Sequence, residues 1–376
     1  RHGRRRVLLW GLTALAAASL ASGLAPAIGW LVPVRAVQGV ATAFVLAPAL
    51  ALIGHRFREP AIRSQAWMIW GTIMGLTMVL SPFLGGFIVD KAGWRGAFIL
   101  NLPICLALIL AIYKLSGESQ DNARRLPAFL RISAFAAMMF CLTWVLILGP
   151  GAGWLHRDTL GAGLLALLAL GVVLLAGPRG KRLPLLSNAA LVGAVLAMFA
   201  YAAAAQVMAS LLPMSLQVMD LRDAAQIGLT VLPFTLAMLI FPHPGARLSE
   251  RIGTPRMLVL GLLVVALGNG AAAAAALAGV WPLFLPALFL IGAGAGLLNG
   301  ETQKAIMVSM PPELTGMASG ISTTARFSGV LMGFTALGGA VDPSRDGLAG
   351  LAPAMACAMA VALVSALCVA GLMRRA

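Results

Sequence analysis

Glu301, Arg35 and Arg326 stand inside apolar runs of this sequence, where a charge needs a physical reason. Glu301 is the only one of the twelve acidic residues placed within such a run. A carboxylate in low dielectric has its pKa raised, which suits reversible protonation near neutrality or capture of a cationic molecule. Lys304, three residues on, offers the other reading, a structural ion pair across one turn. The opposite face of that run carries Asn299 and Gln303, with Gly292 and Gly296. Arg35 is followed by Gln38, Gly39 and Thr42 at i+3, i+4 and i+7, one face of a helix. A guanidinium inside a span costs roughly 2.5–3.5 kcal/mol on insertion scales, so it faces a partner or a watery cavity unless it snorkels from a span end. Arg326, with Gly329 at i+3, is read as pairing with a helix carbonyl or with Glu301.

A fourth pattern is neutral. Gln206, Ser210, Pro213 and Gln217 fall on one stripe of an otherwise apolar segment. The stripe either lines a cavity or makes hydrogen bonds between helices, each worth little. Nothing supports an enzyme. His2, His55, His156 and His243 are scattered, and Cys105, Cys141, Cys357 and Cys368 lie in apolar runs without metal-ligand spacing. No phosphate-binding glycine loop is present. No metal or cofactor is expected, and any work on a substrate is expected to draw on the proton gradient rather than on ATP.

The elements that position these residues follow from composition. The chain has 376 residues, 60% hydrophobic and 10% charged, with a mean hydropathy of +0.95. A soluble domain is about 25% charged. Runs long enough to cross a bilayer lie near 7–24, 28–53, 66–89, 96–113, 128–148, 159–177, 187–213, 226–243, 256–277, 281–309, 314–340 and 351–373. An all-α integral membrane bundle follows, because backbone groups in lipid must be satisfied internally. The net charge of +15 is a matter of topology. Connections on one side carry 19 Lys and Arg and those on the other carry 5, with Arg35, Arg131 and Arg326 within or at the ends of spans. The positive-inside rule puts both termini in the cytoplasm and removes nucleic acid as a partner.

The chain also repeats itself. Arg1, Gly3 and Arg6 recur as Arg251, Gly253 and Arg256, each set in a short basic loop entering an apolar run. Gly85-Gly86-Phe87-Ile88-Val89-Asp90 has a weaker echo in Gly338-Gly339-Ala340-Val341-Asp342. Related halves in one membrane chain suggest a transporter built from repeats. Within the first half, in WGTIMGLTMVLSPFLGGFIVDKAGW over 70–94, Gly71, Gly75, Pro82, Gly85 and Gly86 share an arc of roughly 100°. Such a face lets helices approach closely in lipid, either as static packing or as a contact that controls access.

These stretches resemble motifs of the major facilitator superfamily. RHGRRR is similar to the tail of its loop signature, and ARLSERIGTPR to the weaker second copy. Val34 to Gly39 resembles Arg-x-x-Gln-Gly of the fourth helix. The glycine-rich run resembles the antiporter motif of the fifth. Gly93-Trp94-Arg95, Phe98, Asn101 and Pro103 resemble the signature that follows it. Ser81 stands where the motif has glycine, and Gly96 where it has an aromatic residue. The set is most similar to the fourteen-helix drug:proton antiporters of the EmrB/QacA type.

That resemblance implies a chain lacking its first two helices, with 12 of 14 spans present. It would be organised as an N-terminal bundle over 1–115, a central two-helix insertion over 116–183 and a C-terminal six-helix bundle over 184–376. The implied function is proton-coupled export of drugs or other small amphipathic molecules by alternating access, from the inner (plasma) membrane. Arg35, Glu301 and Arg326 are the expected proton-coupling residues, with Arg35 modulating a carboxylate that precedes the chain. Gln38, Gln206, Ser210, Gln217, Asn299 and Gln303 are the expected cavity lining. The partners are a small-molecule substrate and the lipid bilayer, with a periplasmic adaptor as an optional one, and the expected state is a monomer. A dedicated exporter of one endogenous metabolite is the alternative, and a non-transporting membrane sensor a more distant one.

Overall fold

The computed structural model describes residues 3–56, 59–115, 129–175, 188–219, 224–311, 314–345 and 347–374. Arg1 lies outside them. The backbone of the glycine-rich run is described, but the side-chain surroundings of Gly71, Gly75, Pro82 and Gly86 lie outside the description.

The described residues form helices and no strand. In chain order they are α1 (Arg4–Gly23), α2 (Ile28–Arg56), α3 (Pro60–Ile99), α4 (Asn101–Leu115), α5 (Phe129–Ala152), α6 (Arg157–Leu175) and α7 (Ala189–Tyr201). Then come α8 (Met208–Val218), α9 (Ala224–Ile240), α10 (Pro242–Ile252), α11 (Thr254–Leu277), α12 (Trp281–Val308), α13 (Thr315–Ala340) and α14 (Ala352–Met373). A helix covers the described part of every apolar run read from the sequence. Seven spans among the described residues are long and apolar enough to cross a membrane, and up to nine if two bent pairs each count as one. The structure adds α10, an amphipathic helix carrying the second loop motif, which hydropathy alone does not reveal.

Local chemistry sets the helix ends. Gly3 and Gly253 precede α1 and α11 with positive φ, a conformation L side chains rarely adopt. Asn188 caps α7 by accepting from Leu191 N–H at 3.1 Å. Proline opens α3 and α10, where a missing N–H costs nothing. Gly93, at φ 66° and ψ 176°, breaks α3 just before Trp94 and Arg95. Between α7 and α8 the chain makes a π turn over Ala202–Gln206, with Val207 N–H bonding to Ala202 C=O at 3.1 Å.

The chain divides into two compact units. The first comprises residues 1–70, 77–125 and 311–323, and the second residues 71–76, 126–310 and 324–376. In the first, Leu8, Leu12 and Cys105 are buried, with Val45, Leu52, Ile109 and Ile112 packed against them. The second has a dense core in which Tyr201, Phe234, Phe284, Met198, Met238 and Leu262 are fully enclosed. Glycine brings its backbones together. A Cβ at Gly333 would fall 2.6 Å from Ala203 Cα, and one at Gly329 would fall against the Phe199 carbonyl, so α13 lies directly on the end of α7 and the π turn. On α12, Gly294 faces Val265 of α11, and Gly292 faces the backbone at Phe234 of α9.

Candidate functional sites

In the first unit, α2 and α1 hold Arg35 in a hydrogen-bonded chain. Arg35 donates to Gln38 Oε1 at 3.0 Å, and Gln38 Nε2 donates to Ser19 Oγ at 2.8 Å. Asn101 Nδ2 approaches the same Ser19 oxygen at 3.5 Å. Ser19 and Gln38 are buried. The guanidinium also lies over the Phe98 ring, 5.1 Å from its centroid. The Gly-Trp-Arg stretch prepares this arrangement. The break at Gly93 lets Arg95 turn back to bond the Ala25 carbonyl at 3.0 Å while it covers the Trp94 ring at 4.3 Å. Trp94 meets Phe98 edge-on at 6.1 Å. Pro26, Ala27, Ile28 and Leu31 line an apolar recess of about 400 Å³ with Trp94 and Arg95. Thus Arg35, Gln38, Phe98 and Asn101, read as parts of separate motifs, form one site. Its hub, Ser19, is missed by sequence reasoning, because one hydroxyl in an apolar helix carries no distinguishing pattern.

In the second unit Glu301 and Arg326 lie in different networks, so the pairing between them read from the sequence is corrected. Glu301 is buried and its Oε1 accepts from Ser249 Oγ at 2.5 Å and from Thr254 Oγ1 at 2.6 Å. Lys304 Nζ lies 3.3 Å from the same oxygen and 3.2 Å from Ser249 Oγ. The carboxylate thereby ties α12 to both sides of Gly253, the end of α10 and the start of α11. The ion pair with Lys304 is the arrangement found. Ser249 and Thr254 escaped notice as ligands, although both belong to the stretch read as the second loop copy.

Arg326 of α13 instead donates to Asn299 of α12, to Oδ1 at 3.1 Å and to the carbonyl oxygen at 3.4 Å. Its guanidinium lies 5.7 Å from the Tyr201 ring centroid. The helix-carbonyl alternative is therefore the one seen, with the amide added. Tyr201 is wholly buried and its hydroxyl has no hydrogen-bond partner among the described residues. Gln303 is buried one turn beyond Asn299.

Ser210 and Gln217 are exposed on α8 and Gln206 is half-buried, so the polar stripe keeps to the less covered side of its helix. The Gln206 Oε1 is nevertheless enclosed without a hydrogen-bond partner among the described residues. The π turn frees backbone carbonyls, and Asn269 of α11 satisfies one by donating to Ala204 C=O at 3.2 Å. Of the antiporter-like glycines, Gly85 is half-buried and a Cβ there would meet nothing within 4 Å among the described residues. In the loop motifs, Gly3 is buried, while Arg6, Arg251 and Arg256 are exposed.

Apolar helices of bilayer length, with buried polar clusters set inside them, define a multi-pass integral membrane protein. The chain belongs to the Major Facilitator Superfamily, whose family model matches residues 1–334 and 194–375. It is 30% identical over 349 residues to the multidrug resistance protein Stp of Mycobacterium tuberculosis, covering 90% of this chain and 63% of that one. It is 28% identical to the methylenomycin A resistance protein of Streptomyces coelicolor, over 92% of this chain and 74% of that one. It is 29% identical to the tetracenomycin C resistance and export protein of Streptomyces glaucescens, over 92% and 65%. The chain therefore spans about two-thirds of the length of these relatives.

The fold agrees with solved structures. A peptide transporter POT in complex with sulfate superposes with a TM-score of 0.68 at 17% identity, over 99% of this chain and 80% of that one. The human organic anion transporter MFSD10 (TETRAN) gives 0.67 at 16%, over 98% and 77%. At such identities the likeness concerns the fold alone.

Proposed function

We propose that this chain belongs to a proton-coupled secondary exporter of drugs or other small amphipathic molecules, working by alternating access in the inner membrane with both termini of the chain cytoplasmic. The observation that carries this reading is likeness over about nine-tenths of the chain to proteins named for multidrug resistance and for antibiotic resistance and export. The sites suit such a cycle. Arg35, held by Gln38 and the Phe98 face, is a fixed positive charge able to depress the pKa of a nearby carboxylate and so time its proton release. The Glu301 network locks the second loop copy to α12 and releases it when the carboxylate loses its hydrogen bonds. The polar side of α8 lines the substrate path. No cofactor takes part, the proton gradient supplies the energy, and the working unit is a monomer.

The test is flux in proteoliposomes with an imposed pH gradient, using ethidium as the probe. Expected is ethidium movement that follows the gradient and stops with a protonophore. Movement indifferent to the gradient, or none, would overturn the reading. Two relatives are named for single compounds, methylenomycin A and tetracenomycin C, which favours a second reading as an exporter dedicated to one molecule. A broad panel of drug susceptibilities in a deletion strain separates the two, since a dedicated exporter changes only one.

A further inference from the structure

Arg326 presents an unbalanced charge. Its partners among the described residues are an amide, a carbonyl and an aromatic face, all neutral. Glu301, two residues from Asn299 on the same helix, is committed to Ser249, Thr254 and Lys304. A guanidinium stays protonated at any physiological pH, so Arg326 cannot itself carry the exchanged proton. Neutral partners orient a cation without neutralising it, and in the part-buried surroundings beside the Tyr201 ring the remaining charge favours an anion. An independent observation points the same way. The Tyr201 ring beneath this guanidinium is fully enclosed and its hydroxyl, a hydrogen-bond donor, lacks an acceptor among the described residues. Orphaned buried polar groups are rare in native structures and call for a partner.

Building on the export reading, we infer that Arg326, oriented by Asn299 over the Tyr201 ring, binds an anionic oxygen group of the transported molecule, such as a carboxylate or phenolate. Planar guanidinium geometry matches a carboxylate with two parallel hydrogen bonds, and the aromatic ring shields the contact from water. The site therefore holds an amphipathic anion more tightly than its uncharged analogue of the same shape. Asn299 is a positioning residue that fixes the fork.

The experiment is a fluorescence titration of the full chain in detergent with 7-diethylaminocoumarin-3-carboxylate and its uncharged primary carboxamide. Charge-assisted hydrogen bonds predict about tenfold tighter binding of the carboxylate by the wild type. In Arg326→Gln the carboxylate falls to the level of the carboxamide, whereas Arg326→Lys keeps part of the preference. Tyr201→Phe weakens the carboxylate several-fold more than the carboxamide, roughly the worth of one hydrogen bond to a charged group. Should Arg326→Gln fail to fold, the other two variants decide. Equal binding of both probes by the wild type, no binding of the carboxylate up to millimolar, or a preference that survives Arg326→Gln overturns the inference. Ethidium flux in parallel proteoliposomes keeps the two readings apart. Gradient-driven flux without carboxylate preference removes this inference alone, and carboxylate preference without any gradient-driven flux removes the export reading and leaves the anion site standing.

Discussion

Gly3 and Gly253 share one backbone conformation at equivalent points of the two loop motifs. Gly3 has φ 76° and ψ 141°, and Gly253 has φ 84° and ψ 152°. Each precedes a helix by one residue, and each carbonyl accepts the first helical bond, from Val7 N–H at 3.2 Å and from Met257 N–H at 3.1 Å. The recurrence of Arg, Gly and Arg in the sequence is thus a repeat of backbone geometry. This region of φ and ψ is nearly closed to residues with a Cβ, asparagine included. Gly253→Ala is expected to destabilise by roughly 1–3 kcal/mol. Thermal unfolding in detergent measures it, and an unchanged midpoint would show that the loop relaxes freely.

The Glu301 network predicts a stability effect centred on the second loop copy. Ser249→Ala removes a hydrogen bond to a charged group and is expected to cost about 1.5–3 kcal/mol. Glu301→Gln keeps the shape but loses the charge that Lys304 and two hydroxyls share, and is expected to lower the melting temperature as well. If the carboxylate acts by holding α10 and α11 to α12, the pH profile of efflux in Glu301→Gln keeps its position while its amplitude falls. A displaced profile would instead make Glu301 a proton carrier.

Glycine positions separate into two kinds. Gly333 lies against the backbone of Ala203, so Gly333→Ala forces α13 off the π turn and is expected to cost about 1–3 kcal/mol, as overpacking does. A Cβ at Gly85 meets none of the described residues, and Gly85→Ala is expected to leave stability unchanged or to raise it by about 0.4–1 kcal/mol through the unfolded chain. Melting curves of the two variants side by side test the contrast, and equal losses would contradict it.

Asp342 follows α13 and titrates outside the membrane spans. Hydrogen bonds from the Ser344 hydroxyl and backbone N–H, aided by Arg345, hold its carboxyl below the ordinary aspartate value of 3.8. A depressed folded value means that the contribution to stability is full above the ordinary value and disappears as pH falls through the folded one. Comparing melting temperatures of wild type and Asp342→Asn tests this. A small advantage of the wild type at pH 7 is expected to narrow below about pH 4, and an advantage that grows with acid would refute the sign.

The buried hub at Ser19 makes a fifth demand. Ser19→Ala leaves the Gln38 amide enclosed without its acceptor and is expected to cost about 1–3 kcal/mol. The same variant loosens Arg35, so gradient-driven flux is expected to fall together with the melting temperature. Normal coupling in Ser19→Ala would separate the arginine from the hydrogen-bonded chain.

Hydropathy determined the elements that lie in apolar runs, though not α10, because the need to satisfy every backbone group in lipid turns an apolar run of sufficient length into a helix wherever it sits. The loop repeat was equally legible, since glycine at positive φ marks the sequence directly. The polar stripe from Gln206 to Gln217 was legible too, because helical periodicity places residues on a face without knowledge of neighbours. What those faces meet is a different matter. Arg326 finds Asn299 rather than Glu301, and Glu301 finds Ser249 and Thr254, because partners across a helix pair depend on the azimuth and depth at which helices cross. Glycines 292, 294, 329 and 333 set how closely the backbones approach, and the π turn at Ala202–Gln206 shifts the register of its own helix. Neither quantity is a property of one segment, so only the tertiary structure decided them.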